Sequence, residues 1–296
     1  MADSVGLIER AAALLRQRDA NGPGPPLPAV DGSSELSSPQ LVLDRGRLAS
    51  YGITLPSAGR SRTVEEFRLI KRNLMTQLSQ SNSLADQRST RIIMVTSDRP
   101  GEGKTFISLN LALAFASERD VKALLVDVDT QHSSIQTILG IPAERGIVDV
   151  LSGNCELSEA LIQTSIPNLL VLPAGQGGPH VPELFSSNQM AMVMSEMTHR
   201  FGDRYIIIDT PPCMASSDAA ALAPLVGQIV FIVEAHHTQQ MEIESSLSML
   251  SACPRISLLL NKSDTMSGEH FGSYNYYYYY DSQGRQRDVP RSDRSA

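Results

Sequence analysis

The run Ser97-Asp98-Arg99-Pro100-Gly101-Glu102-Gly103-Lys104-Thr105 carries the first chemistry in this chain. Gly101 and Gly103 let the backbone curl so that its N–H groups point inward, which makes a nest for an anion. Lys104 adds a mobile positive charge suited to the β- and γ-phosphates of a nucleotide, and the Thr105 hydroxyl is a suitable ligand for Mg²⁺. The candidate nucleotide-binding stretch is therefore Pro100, Gly101, Glu102, Gly103, Lys104, Thr105 and Phe106. The pattern G-x-x-x-x-G-K-[ST] wants Gly at its first position, and here Asp98 stands there.

Two later acidic stretches fit the same site. Val126-Asp127-Val128-Asp129 ends one apolar run, and Ile206-Ile207-Ile208-Asp209-Thr210-Pro211-Pro212 ends another. Asp127 and Asp209 fall where strands should stop, so both carboxylates belong at a sheet's carboxyl edge, facing the phosphate loop. The paired prolines fix the backbone just after Asp209. Two carboxylates beside a triphosphate repel unless a cation is present, and Mg²⁺ resolves that. Asn261, at the end of the last apolar run, offers a donor and an acceptor that suit an adenine edge. Asp218 reads as a cap for a helix starting at Ala219.

These residues need elements to hold them. Strands are expected near 91–97, 121–127, 168–172, 204–209, 228–234 and 255–261. Helices are expected near 104–118, 181–200, 216–223 and 238–252, with shorter ones at 133–139 and 146–163. Continuous apolar strands such as Ala123-Leu124-Leu125-Val126 suit a sheet covered on both faces. The fold class is α/β, a doubly wound and mostly parallel sheet, with ligand at the carboxyl ends of its strands. A further helix opens at Thr63, where Thr63 and Glu66 form a capping box. Its Phe67, Ile70 and Leu74 should face the core. Glu65, Arg68 and Lys71 lie near one another on another face.

The domain from 63 to 264 is flanked by extensions. Residues 1–19 hold a short helix with Leu7, Ala11, Leu14 and Leu15 on one face. Residues 20–62 are a Pro/Gly/Ser-rich linker followed by an irregular segment. Residues 265–296 form a flexible tail. Six of the chain's eight tyrosines, Tyr274, Tyr276, Tyr277, Tyr278, Tyr279 and Tyr280, lie in that tail. Five consecutive side chains with polar tips do not suit a core strand. They suit phosphate acceptors, each gaining about −1.5 to −2 charges when modified.

Composition closes off other classes. The chain has 296 residues, is 42% hydrophobic and carries a net charge of −7, so a nucleic-acid partner held by an overall basic field is not expected. There is no apolar run long enough to span a membrane, and Met1-Ala2-Asp3-Ser4 does not open a signal peptide. Cys155, Cys213 and Cys253 lack metal-ligand spacing and suit a reducing compartment. A cytoplasmic location is expected.

Taken together, Arg99–Thr105, Leu125–Asp129, Ile206–Pro212 and the terminal tyrosines resemble the bacterial tyrosine kinases (BY-kinases) of polysaccharide export. Leu7-Ile8-Glu9-Arg10-Ala11 and Glu66-Phe67-Arg68-Leu69-Ile70-Lys71-Arg72 are similar to the exosortase/PEP-CTERM-locus branch of exopolysaccharide tyrosine autokinases. The resemblance implies a P-loop fold of the partition and septum-placing ATPase type, used for ATP- and Mg²⁺-dependent autophosphorylation on tyrosine. It implies that Lys104, Asp127, Asp129 and Asp209 are catalytic, with Thr105, Asp127 and Asp209 at the metal. It implies that Glu65, Arg68 and Lys71 correspond to a Glu-x-x-Arg-x-x-Arg assembly helix of a homo-oligomeric ring, with Lys in the last place. It also implies a chain-length-regulator-type inner-membrane activator, recruitment to the inner face of that membrane, a phosphotyrosine phosphatase and a role in exopolysaccharide polymerisation or export. The family's second acidic motif commonly continues with Arg and Pro, whereas here it continues Thr130-Gln131-His132-Ser133. Two other readings stay open: an ATPase switch of the partition or septum-placing type, and a nucleotide-gated scaffold without kinase activity.

Overall fold

The computed structural model describes residues 40–55, 61–79 and 91–263, apart from 133, 143, 144 and 179. The expected N-terminal helix, most of the linker and the tyrosine cluster lie outside the described residues.

Seven strands form one sheet: β1 (Ile92–Ser97), β2 (Lys122–Asp127), β3 (Ile162–Gln163), β4 (Leu169–Leu172), β5 (Arg204–Asp209), β6 (Gln228–Glu234) and β7 (Ile256–Asn261). Their order is β3-β4-β2-β5-β1-β6-β7. Every neighbouring pair is parallel except β3 with β4. The helices are α1 (Arg45–Ser50), α2 (Arg62–Ser79), α3 (Lys104–Ala116), α4 (Ser134–Leu139), α5 (Ile147–Leu151), α6 (Leu157–Ala160), α7 (Val181–Phe185), α8 (Asn188–Arg200), α9 (Asp218–Leu222) and α10 (Gln240–Met249). This is the doubly wound, mostly parallel sheet that the apolar strands call for.

Alternation along the strands divides the core in two. Ile93, Val95, Leu125 and Ile207 pack with α3 and with Phe67 and Leu74 of α2. Met94, Leu124, Val126 and Ile208 pack on the opposite face with Met190, Met194 and Met197 of α8. α3 is apolar on nearly every side and correspondingly buried, with Leu111 and Ala112 fully covered. Phe115 stacks on Tyr205 at 4.2 Å, which fixes α3 against β5.

Several local expectations are corrected. The run 146–163 is not one helix. It gives α5, α6 and then β3, a short strand antiparallel to β4. Gly153, at φ 73°, ends α5, a conformation that favours glycine. The run 181–200 breaks between α7 and α8, where the Ser186 and Ser187 hydroxyls bond back to the carbonyls of Pro182 and Leu184. α2 starts earlier than Thr63. The Ser61 hydroxyl accepts from the Val64 N–H and is the cap, while Glu66 pairs with Arg62. Asp218 is the first residue of α9, with its own N–H bonded to Ser216, rather than the cap before it.

The segment before α2 belongs to the body. Asp44 caps α1 through the N–H groups of Gly46 and Arg47. Leu43, Leu48 and Ile53 enter the core beside α3. Leu41 forms a parallel bridge with Thr164 at the β3 edge.

Candidate active site

β1 delivers the phosphate loop and α3 receives it, so the loop closes at the carboxyl edge of the sheet. Gly101 and Gly103 have φ of 86° and 103°, the left-handed region open to glycine. A Cβ on Gly103 would also lie 2.2 Å from the Asn261 amide nitrogen. Gly103 is thus fixed both by its backbone and by its neighbour from β7.

Side chains hold the loop in shape. Glu102 is only 2% exposed. Its carboxylate accepts from the Arg99 N–H at 2.9 Å and from the Thr238 hydroxyl. That hydroxyl in turn accepts from the Glu234 N–H at 2.9 Å. The Glu102 carbonyl accepts from the Asn261 side-chain amide at 2.7 Å. Asn261 therefore clamps the loop backbone with one amide N–H.

Asp98, at the unorthodox first position, is buried and accepts from the Ser246 hydroxyl at 2.7 Å. Arg99 pairs with Glu242 on the same helix. Asp98, Arg99 and Glu102 therefore tie the loop to α10 and its entry.

The acidic residues converge as their strand ends require. β2 and β5 are adjacent, and their register sets Asp127 opposite Asp209. Asp209 accepts from the Thr105 hydroxyl at 2.7 Å and from the Ser108 hydroxyl at 2.9 Å. Asp127 Oδ1 accepts from the Asp129 N–H at 3.0 Å, and its Oδ2 is buried without a hydrogen-bond partner. Asp129 accepts from the N–H groups of Gln131 and His132, and the His132 ring stands 3.3 Å from it.

The charges perturb one another. Burial pushes Asp127 well above the usual carboxylate range, and the Asp209 charge adds to this. Burial pushes Asp209 up to about 6, against the pull of its bonds to Thr105 and Ser108 and of the Lys104 charge. Burial lowers Lys104, while Asp209, Asp129 and Glu102 hold its proton on. One cation thus faces a cluster of carboxylates, two of which resist ionisation.

Such a site fits a divalent cation. The orphaned Asp127 oxygen, the Asp209 carboxylate and the Thr105 hydroxyl are hard oxygen donors. Among the described residues, no group of three or more His, Cys, Asp and Glu is arranged to hold a metal alone. Mg²⁺ does not need such a group, since it keeps waters and takes phosphate oxygens.

Three supports of the site lie outside the motifs: Ser108, Thr238 and Ser246. Ser108, one turn after Lys104 in an apolar helix, carried a readable signal: a hydroxyl four residues on shares that face. Thr238 and Ser246 carried none, since neither stands in a motif.

The expected row Glu65, Arg68 and Lys71 does not form one solvated face. Glu65 and Arg68 pair at 2.5 Å near the surface. Lys71 is only 4% exposed, and its ammonium donates to the Ala114 carbonyl at 3.2 Å and to Glu118. The reason is helical phase: Lys71 lies four residues after Phe67 and three before Leu74, both buried.

Comparison with known proteins agrees with this geometry. The AAA domain family model matches residues 90–248, more than half of the chain. Tyrosine-protein kinase CpsD of Streptococcus agalactiae is 30% identical over 203 residues, covering 68% of this chain and 86% of that one. A solved chimerical protein, CapA2B2, superposes with a TM-score of 0.62 at 25% identity, covering 79% of this chain and 99% of that one. The VpsO kinase domain superposes with a TM-score of 0.55 at 29% identity, covering 69% of this chain and all of that one. The fold and site define a P-loop protein of the AAA domain family. Within it, the chain belongs to the bacterial tyrosine kinases. Among the described residues, no helix is long and apolar enough to cross a membrane.

Proposed function

We propose that this chain is an ATP-dependent protein-tyrosine autokinase that modifies Tyr274, Tyr276, Tyr277, Tyr278, Tyr279 and Tyr280 of its own tail. The observation that carries the reading is the pair Asp127 and Asp209 beside Lys104 and Thr105, in a chain that carries a tyrosine run at 276–280.

The residues divide the work. The N–H groups of Gly101 to Thr105 and the Lys104 ammonium hold the β- and γ-phosphates. Thr105, Asp127 and Asp209 would hold Mg²⁺, which when bound neutralises phosphate charge. Asp127, whose Oδ2 holds no hydrogen bond among the described residues, accepts the tyrosine proton as the phenolic oxygen bonds to the γ-phosphorus and the bond to ADP breaks. Asp129 holds the strand end through its turn with Gln131 and His132. Catalysis is then positioning and charge neutralisation.

The same reading assigns further roles. The exosortase-locus branch is supported by Leu7–Ala11 and Glu66–Arg72. A homo-oligomer uses α2, with Glu65 and Arg68 at its surface and Lys71 bracing the helix from beneath. The chain works at the inner face of the inner membrane through a chain-length-regulator-type activator, is reset by a phosphotyrosine phosphatase, and regulates exopolysaccharide polymerisation or export.

The test is phosphotyrosine formation on the purified chain with Mg·ATP, beside Lys104→Met. Modification of the tail that disappears in a folded Lys104→Met variant supports the reading. Robust ATP hydrolysis with no phosphotyrosine, with or without the activator's cytoplasmic ends, overturns it in favour of an ATPase switch.

A further inference from the structure

A concave site lies away from the phosphate loop, between α2 and the end of α3. It has a volume of about 400 Å³ and is lined by Arg68, Lys71, Arg72, Met75, Thr76 and Glu118. A second cavity of about 200 Å³ adjoins it and shares Arg68 and Glu118.

The charges here are unbalanced. Three cations from consecutive turns of α2 converge on one carboxylate. Glu118 is held below the usual carboxylate range, first by its hydrogen bond from Lys71, with Arg68 and Arg72 adding to the pull. Lys71 alone neutralises Glu118. Arg68 also pairs with Glu65, but both partners are substantially exposed, so that pair is weak and can be exchanged. Arg72 is exposed and holds no ion pair among the described residues. Two guanidiniums four residues apart therefore flank a cavity whose floor includes the thioether of Met75.

Arg68 and Arg72 are spaced for a dianionic phosphate, which guanidinium forks bind through paired, charge-assisted hydrogen bonds. Met75 offers an aromatic ring a polarisable contact. Inorganic phosphate would use only the first of these features, whereas an aryl phosphate uses both.

We propose that this cavity is a docking site for phosphotyrosine, and that its occupant is the modified Tyr274–Tyr280 segment of this chain. The identity of the occupant rests on the autokinase reading above. Reach permits it. Gln77, next to Thr76, bonds to Ser257 near the start of β7, so the cavity lies beside the strand from which the tail departs. From Ser257 to Ser263 is about 20 Å of extended chain. Tyr274 follows Ser263 by eleven residues, about 36–40 Å at full extension. A modified tail docked on Arg68 would displace its partner Glu65 and occupy the face of α2 proposed for assembly. Phosphorylation would then report to the assembly surface through a direct contact.

The test uses synthetic peptides spanning residues 271–281, so the phosphate does not depend on the chain's own activity. The full chain carrying Lys104→Met is titrated with the peptide phosphorylated at Tyr276 and Tyr278, and with the unmodified peptide. The proposal expects the phosphopeptide to bind at least tenfold tighter. It expects Arg72→Glu, and separately Thr76→Glu, to remove that advantage without moving the thermal midpoint, since both sites are exposed. Phenyl phosphate should compete better than inorganic phosphate, and equal competition would reduce the cavity to a simple anion site and overturn the aryl assignment. Equal binding of both peptides, or a preference that survives Arg72→Glu and Thr76→Glu, overturns the proposal. So does competition by ATP, which would place the peptide at the phosphate loop. None of these outcomes depends on whether the autokinase reading holds.

Discussion

Asp127 and Asp209 stand opposite each other at the carboxyl ends of two adjacent parallel strands, and each is 1% exposed. Adjacent strands hold them within range of strong repulsion, so the pair is unfavourable by itself. Burial first, and for Asp127 the Asp209 charge second, raises their proton affinity.

The first prediction follows from this pair. Asp209 titrates at about 6 in the folded chain, against 3.8 for an unperturbed Asp. The folded state therefore keeps a proton that the unfolded chain has lost. Stability of the metal-free chain should fall as pH rises from about 4 through 6, because the unfolded state binds fewer protons over that window. Thermal midpoints in a chelator between pH 5 and 7.5 measure it. Asp209→Asn should flatten this part of the profile and raise the midpoint at pH 7.5. Added Mg²⁺ should stabilise the parent chain at pH 7.5 more than the variant.

A second prediction concerns Glu102, a carboxylate buried inside an anion-binding loop. Its two oxygens hold the Arg99 N–H and the Thr238 hydroxyl, so its role is to shape the loop before phosphate arrives. Glu102→Ala should weaken ATP binding about tenfold, the loss of roughly 1.4 kcal/mol from one or two hydrogen bonds. Glu102→Gln keeps an acceptor for Arg99 and a donor for Thr238, and should retain most of the affinity. Calorimetric titration with a non-hydrolysable ATP analogue separates the two. Equal losses in both variants would mean that the charge itself matters.

Lys71 supplies a third. It is buried under α2 and bonded to the Ala114 carbonyl, while its partner Glu118 is half exposed. Lys71→Ala should destabilise the chain by about 1–3 kcal/mol, by emptying a buried position and removing the ammonium's bonds to the Ala114 carbonyl and Glu118. Glu118→Ala should cost about 1 kcal/mol or less, because solvent already screens that side of the pair. Urea unfolding of the two variants measures the asymmetry.

The sheet was legible because its longer strands are mostly apolar runs, and β2, β5 and β7 end in Asp or Asn. Ile206–Asp209 and Leu124–Asp127 announce both a buried strand and the edge where it stops. The phosphate loop was legible from Gly101, Gly103, Lys104 and Thr105 together with their flanks. The supports of the site were not. Thr238 reaches Glu102 across 136 residues and Ser246 reaches Asp98 across 148, and no local pattern encodes such pairings. The burial of Lys71 was masked by its type, since a Lys between charged neighbours reads as surface. The phase set by Phe67 and Leu74 carried the signal and outweighed it. β3 was hidden for a similar reason: a two-residue strand has no periodicity, and only its pairing with β4 defines it.

Autophosphorylation is tested most directly by the intact mass of the full chain after incubation with Mg·ATP, alone and with the cytoplasmic ends of the proposed membrane activator, beside Lys104→Met. Successive phosphoryl additions that map to Tyr274–Tyr280 and vanish in the variant are the expected result. An unchanged mass in both preparations, despite tight ATP binding, would contradict it and leave the tyrosine run as an unmodified tail.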